Sequence, residues 1–107
     1  MNNAHSRDSD ELKNVVEHLH TCRAVYLEEV AVIEKYGPNT VWEGVVYVFR
    51  ISGHPQTDKC YAWYSDIPET GKRKYYAVLH IPPIDSPEKS VRASIVVDNK
   101  RKQQETV

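Results

Sequence analysis

The sequence predicts an α+β domain, a long N-terminal helix packed on a four-stranded antiparallel meander sheet. Three observations carry that expectation. Apolar residues near the N-terminus recur in steps of three and four. The run VWEGVVYVFRI at 41–51 is apolar on both alternating faces. Three further strand-like segments follow it, separated by loops rich in Gly, Pro, Asp and Ser.

The chain has 107 residues, which suits one domain. At this size roughly 65% of the unfolded surface is buried, enough for a single modest core. A hydrophobic content of 40% with 27% charged residues is that of a soluble globular protein. A net charge of -1 gives no global attraction to nucleic acid or membrane, so any such role needs a local patch. The N-terminal MNNAHSRDSDE is polar and shows no signal peptide, and no apolar run reaches the ~20 residues of a membrane span. Two cysteines, Cys22 and Cys60, are too few for a disulfide framework. The expected setting is the cytoplasm, with reduced thiols.

Residues 1–8 and 99–107 read as polar, disordered tails flanking one domain at 9–98. The helix begins at Ser9 or Asp8 as N-cap, with Asp10 and Glu11 at the positive end of its dipole. Leu12, Val15, Val16, Leu19, Cys22, Tyr26, Val30 and Ile33 make its apolar stripe, and Gly37 with Pro38 ends it. Unbroken, it runs to about 26 residues and about 40 Å, longer than the ~30 Å of a nine-residue strand, so it must overhang, bend or break. A competing reading makes Val30 to Ile33 a short strand that turns through Gly37, Pro38 and Asn39. The strands expected after 41–51 are KCYAWYS at 59–65, RKYYAVLHI at 73–81 and SVRASIVVD at 90–98. In the last of these, Val91, Ala93, Ile95 and Val97 face inward.

Two surfaces follow from this arrangement. On the central strand, Val45, Tyr47, Phe49 and Ile51 pack against the helix. The opposite face keeps Trp42, Val46, Val48, Tyr64 and Tyr76, and one helix cannot cover both sides. An apolar face of that size calls for a loop, the second half of the helix, a second copy of the chain or a protein partner. In a meander, Lys72, Arg73 and Lys74 also come near Lys100, Arg101 and Lys102, giving a basic sheet end suited to phosphate beside Tyr75 and Tyr76. Asp66, Glu69, Asp98 and Glu105 partly cancel it.

The chemistry-bearing residues are sparse. In HLHTC, His18 and Cys22 are one helical turn apart, but two donors do not make a metal site, and Cys22 falls in the apolar stripe. His54 and His80 lie at one sheet end with Asp58 and Asp85 nearby, the ingredients of a His–carboxylate pair. There is no Gly-rich phosphate loop, HExxH, nucleophile elbow or paired CxxC. The C-terminal Glu-Thr-Val has the form that PDZ domains capture. The one-helix, four-strand pattern with VWEGVVYVFRI and CYAWYS resembles small uncharacterised bacterial α+β domains over about Leu12 to Asp98. That resemblance implies the fold and carries no functional residue. The sequence thus favours a binding module, self-associating or engaging a protein partner through Trp42, Val46, Val48, Tyr64 and Tyr76, with no cofactor or metal. The alternatives are a nucleic-acid or anion binder at the basic end and an enzyme built on His54 and His80.

Overall fold

The structure, a computed structural model, describes residues 6–105. It runs α1 (Ser6–His20), β1 (Arg23–Tyr36), β2 (Asn39–Ser52), β3 (Lys59–Ile67), β4 (Lys72–Leu79) and α2 (Pro87–Glu105). The strands form one antiparallel sheet in the order β1-β2-β3-β4. The α+β class and the four-stranded antiparallel sheet are as the sequence predicts. Two of the elements differ in kind.

The long helix stops at His20. Thr21 takes φ 50°, and the N–H of Cys22 donates to the carbonyl of Glu17 at 3.3 Å. That is the six-to-one hydrogen bond of a Schellman cap, formed here on threonine in place of glycine. The chain then becomes β1, whose segment AVYLEEVAVI is rich in β-branched residues. A bulge between Tyr26 and Glu28 explains the misleading periodicity. Before it the even-numbered Ala24 and Tyr26 pack with α1; after it the even-numbered Val30 and Val32 lie on the opposite face. The extra residue turns alternation by two into steps of three and four. The short strand at Val30 to Ile33 is thus the better reading, extended to fourteen residues. Gly37 ends β1, not a helix: its φ is +61°. Pro38 cannot take a positive φ, so the two-residue Gly37-Pro38 turn is type II′, the kind that suits a twisted hairpin.

The second difference is at the C-terminus, where the expected strand at 90–98 is helical. Ser86 accepts the N–H of Lys89 on its hydroxyl at 3.2 Å, Pro87 occupies the first helical position, and Glu88 sits in the first turn. These are strong helix-start signals. Val91 is buried and Ile95 packs partly beneath the helix, whereas Val97 stays 48% exposed. The tail assigned as disordered is helical through Glu105, and residues 6–8 belong to α1. Residues 1–5 and 106–107, including the last two positions of Glu-Thr-Val, lie outside the described residues.

The two helices cover the two faces of the sheet. On one side Leu12 and Val16 of α1 pack on Tyr47, Phe49, Ile51, Cys60 and Ala62. On the other, Val91 of α2 packs with Val32, Val46, Val48, Tyr61 and Trp63. The carboxylate of Glu34 on β1 takes a two-point hydrogen bond from Arg92 of α2, at 2.9 and 3.2 Å.

β2 and β3 pair only over Tyr47–Arg50 against Lys59–Ala62, whereas β1–β2 and β3–β4 pair nearly end to end. Beyond Tyr47 the two strands part. An aromatic row bridges the fork on the α2 side. Trp42 meets Trp63 edge-on at 6.2 Å, and Trp63 stacks on Tyr76 at 5.0 Å. The Trp42 indole N–H donates to Ser65 Oγ at 3.2 Å. This needs a glycine at 44, because a Cβ there would sit 2.8 Å from two ring carbons of Trp42. Gly44→Ala therefore should cost about 1–3 kcal/mol, as overpacking of this kind does. Urea unfolding followed by tryptophan fluorescence measures it, and an unchanged midpoint would show that the indole does not lie on Gly44.

Candidate functional site

The apolar face singled out in the sequence is not open. Val46 and Val48 are 0% and 3% exposed beneath α2. They are corrected from binding surface to core, because the residues expected as a fourth strand form the helix that covers them. Trp42 and Tyr76 are half-buried members of the aromatic row. Tyr64 lies on the α1 face, opposite to where the sequence placed it. Its hydroxyl donates to Asp8 Oδ2 at 2.9 Å, and the Arg73 guanidinium sits 3.8 Å over its ring. The five residues therefore do not form one surface.

The basic end is largely compensated. Arg73 is held by Glu11 and Asp66, each at 3.0 Å, with Asp8 at 3.7 Å. The Asp66 carboxylate, hydrogen-bonded to it, pushes the guanidinium above its ordinary value. Lys74 pairs with Asp98 of α2 at 3.3 Å and lies over the Tyr76 ring. Tyr75 donates to the carboxylate of Glu11. Lys72 and Lys100 are exposed. Arg101 and Lys102 lie on α2 rather than on the end of a strand, and their side chains fall outside the described residues.

The histidines make separate hydrogen bonds, although the rings of His20 and His54 meet edge-on at 6.2 Å. His80 Nδ1 lies 2.5 Å from the hydroxyl of buried Tyr61, which burial pushes above its ordinary pKa. His54 Nδ1 accepts the backbone N–H of Gln56 at 3.1 Å. Asp85 is committed to Lys89 at 3.0 Å, and that contact holds its carboxyl below the usual range. His20 Nε2 donates to the carbonyl of Ala77 at 2.9 Å, and His18 is exposed. No His–carboxylate pair of catalytic geometry is assembled among the described residues. No group of three or more His, Cys, Asp or Glu side chains among them is placed to hold a metal ion. No described helix is long and apolar enough to cross a membrane.

Two features remain open. One is the long β1–β2 hairpin. Of nine exposed large hydrophobic residues among those described, Val25, Leu27, Ile33 and Tyr36 lie on β1 and Val41 and Val45 on β2. Sequence reasoning assigned the β1 residues to a helix and so missed this edge. The signal that identifies it is the β-branched content after Thr21. The other feature is a cavity of about 580 Å³ in the β2–β3 fork, beneath the start of α1. The chain matches no protein-family model, no curated protein and no solved structure.

Both thiols are free and belong to the α1-side core. Burial pushes Cys60 up to about 12, against 9.0 in an unconstrained thiol, and raises Cys22 as well. Because the folded state keeps Cys60 protonated, its contribution to stability is intact below the unfolded value and is lost as pH rises from 9.0 to about 12. The urea midpoint should fall across that window, and less steeply in Cys60→Ala. A thiol reagent such as DTNB should leave Cys60 untouched in the native protein at neutral pH. Rapid native labelling of Cys60 would contradict its burial.

Proposed function

We propose that the protein is a binding module that joins a second copy of itself by strand addition along β1. The observation that carries this reading is the concentration of exposed apolar side chains on one outer strand with a free ladder edge. Ile33 is 54% exposed and Tyr36 80%, and β1 extends over fourteen residues, about 46 Å of strand. The two sheet edges differ. At β4, His20 takes a backbone carbonyl, the strand is short, and Lys72, Arg73 and Lys74 sit at its start. At β1 the start of the strand is capped, where Glu17 Oε2 accepts the N–H of Ala24 at 2.8 Å. The stretch from Val30 to Tyr36 offers backbone donors and acceptors to a partner strand.

Charge supports a second copy as that partner. Antiparallel self-pairing about an axis near Val30 sets Glu28 and Glu29 opposite Val32 and Ala31, so like charges do not meet. The bulge after Tyr26 and the glutamates beside it oppose indiscriminate stacking while leaving the stretch from Val30 to Tyr36 regular up to the shift after Glu34. This replaces the apolar sheet face as the contact surface, since α2 already occupies that face.

Sedimentation equilibrium over a dilution series tests the reading. The expected result is a reversible monomer–dimer equilibrium that Ile33→Lys abolishes. The side chain of Ile33 is half in solvent, so Ile33→Lys should leave monomer stability within about 0.5 kcal/mol. A strict monomer at every concentration would end the proposal.

A further inference from the structure

The fork between β2 and β3 has a chemistry that the pairing edge does not use. Its α2 side is closed by the Trp42 indole, and its α1 side opens into the cavity of about 580 Å³, a volume in the range of small-molecule sites. Three carboxylates line it, from Asp8, Glu43 and Asp66, together with the rings of Trp42, Tyr47 and Tyr64; no lysine or arginine does.

The neighbouring protein groups indicate what such walls accept. Arg73 lies beside the cavity with its guanidinium over Tyr64 and among Asp8, Glu11 and Asp66. One cation there serves three carboxylates, and Glu43 adds a further carboxylate to the cavity lining. Glu43 is exposed and makes no ion pair among the described residues.

A second, independent observation comes from Tyr47. It is only 5% exposed, it lines the cavity, and its hydroxyl has no hydrogen-bond partner among the described residues. Burial, with Asp8 next in effect, pushes its pKa up to about 12, so the group stays a neutral donor and acceptor. The body of the side chain is buried while its unpartnered hydroxyl stays accessible beside the carboxylate-lined space, where it can serve a polar group.

We propose that this cavity binds an organic cation, an aliphatic amine or guanidinium. Its charge sits between Glu43 and Asp66, its N–H groups reach the Tyr47 oxygen, and its carbon stem lies against the Tyr47 and Tyr64 rings. Carboxylates supply the attraction, and ring faces add cation–π stabilisation that favours a cation over a neutral isostere. Anionic ligands are excluded because every charged group in the lining is negative. The inference does not depend on dimerisation through β1.

Titration of the full chain with putrescine, agmatine and the neutral 1,4-butanediol, followed by the Trp42 indole N–H resonance, tests it. Putrescine or agmatine should shift that resonance saturably at low salt, and butanediol should not. Glu43→Gln should weaken binding about tenfold, the effect of losing one hydrogen bond to a charged group. Tyr47→Phe should weaken it about fivefold, since it removes only a neutral one. Tighter binding of Nα-acetyl-lysine amide than of putrescine assigns the cation to a peptide side chain, and the reverse assigns it to a free diamine; either upholds the site. Absence of a saturable shift, or equal affinity in wild type, Glu43→Gln and Tyr47→Phe, overturns it.

Discussion

The structure depends on one constraint: β2 is apolar on both faces, and each face must be taken out of water. Tyr47, Phe49 and Ile51 on one side and Val46 and Val48 on the other are all nearly inaccessible. Fully burying side chains of this size is worth about 1.5–3 kcal/mol each. Neither helix alone reaches both faces, so the chain places α1 before the sheet and α2 after it. Glu34 and Arg92 then fasten α2 to the hairpin on the side where the helix packs.

With both helices used as covers, the sheet edges and the fork are what remain. The covers also account for the fork. The β2–β3 ladder ends at Tyr47 and Ala62, and beyond it Trp42, Trp63 and Tyr76 fill the α2 side with stacked rings in place of backbone hydrogen bonds. The α1 side of the same gap has no such filling, because α1 passes it only with its first turn, where Asp8 lies. The cavity and the long, apolar β1 edge thus share one cause: the β1–β2 hairpin is longer than either helix can cover.

Much of this was legible in the residues. The α+β class followed from a helix pattern preceding strand patterns on short loops. Alternation at 41–51 marked Tyr47, Phe49 and Ile51 as the inward set and the need for a second cover over Val46 and Val48; Val45, expected in the same inward set, is 38% exposed. The hairpin loops around Gly53 and Gly71 were marked by their turn formers, and both glycines take positive φ. Two segments were misread for a shared reason. Short Val-rich stretches satisfy more than one period, and local ends decide between them. At 23–36 the bulge converted a strand pattern into helical steps, and Gly37 serves a helix cap and a hairpin turn equally well. At 90–98, Val91, Ala93, Ile95 and Val97 alternate, yet Ser86, Pro87 and Glu88 upstream form a helix start that outweighs them. Arg73 was placed beside a fourth strand that is in fact α2, and Tyr64 was placed by shared parity, whereas the register pairs Tyr47 with Ala62 and so sets the even positions of β3 with the odd ones of β2.

The helical cover over β2 is the central claim, and one comparison tests it: the urea midpoints of Val91→Lys and Val97→Lys. A strand at 90–98 would turn both side chains inward, whereas α2 buries Val91 and leaves Val97 half in solvent. The account predicts that Val91→Lys costs about 3 kcal/mol or more, from a lost core contact and a charge forced against apolar surface. It predicts that Val97→Lys stays within about 0.5 kcal/mol of the parent. Equal, large losses at both positions would contradict it.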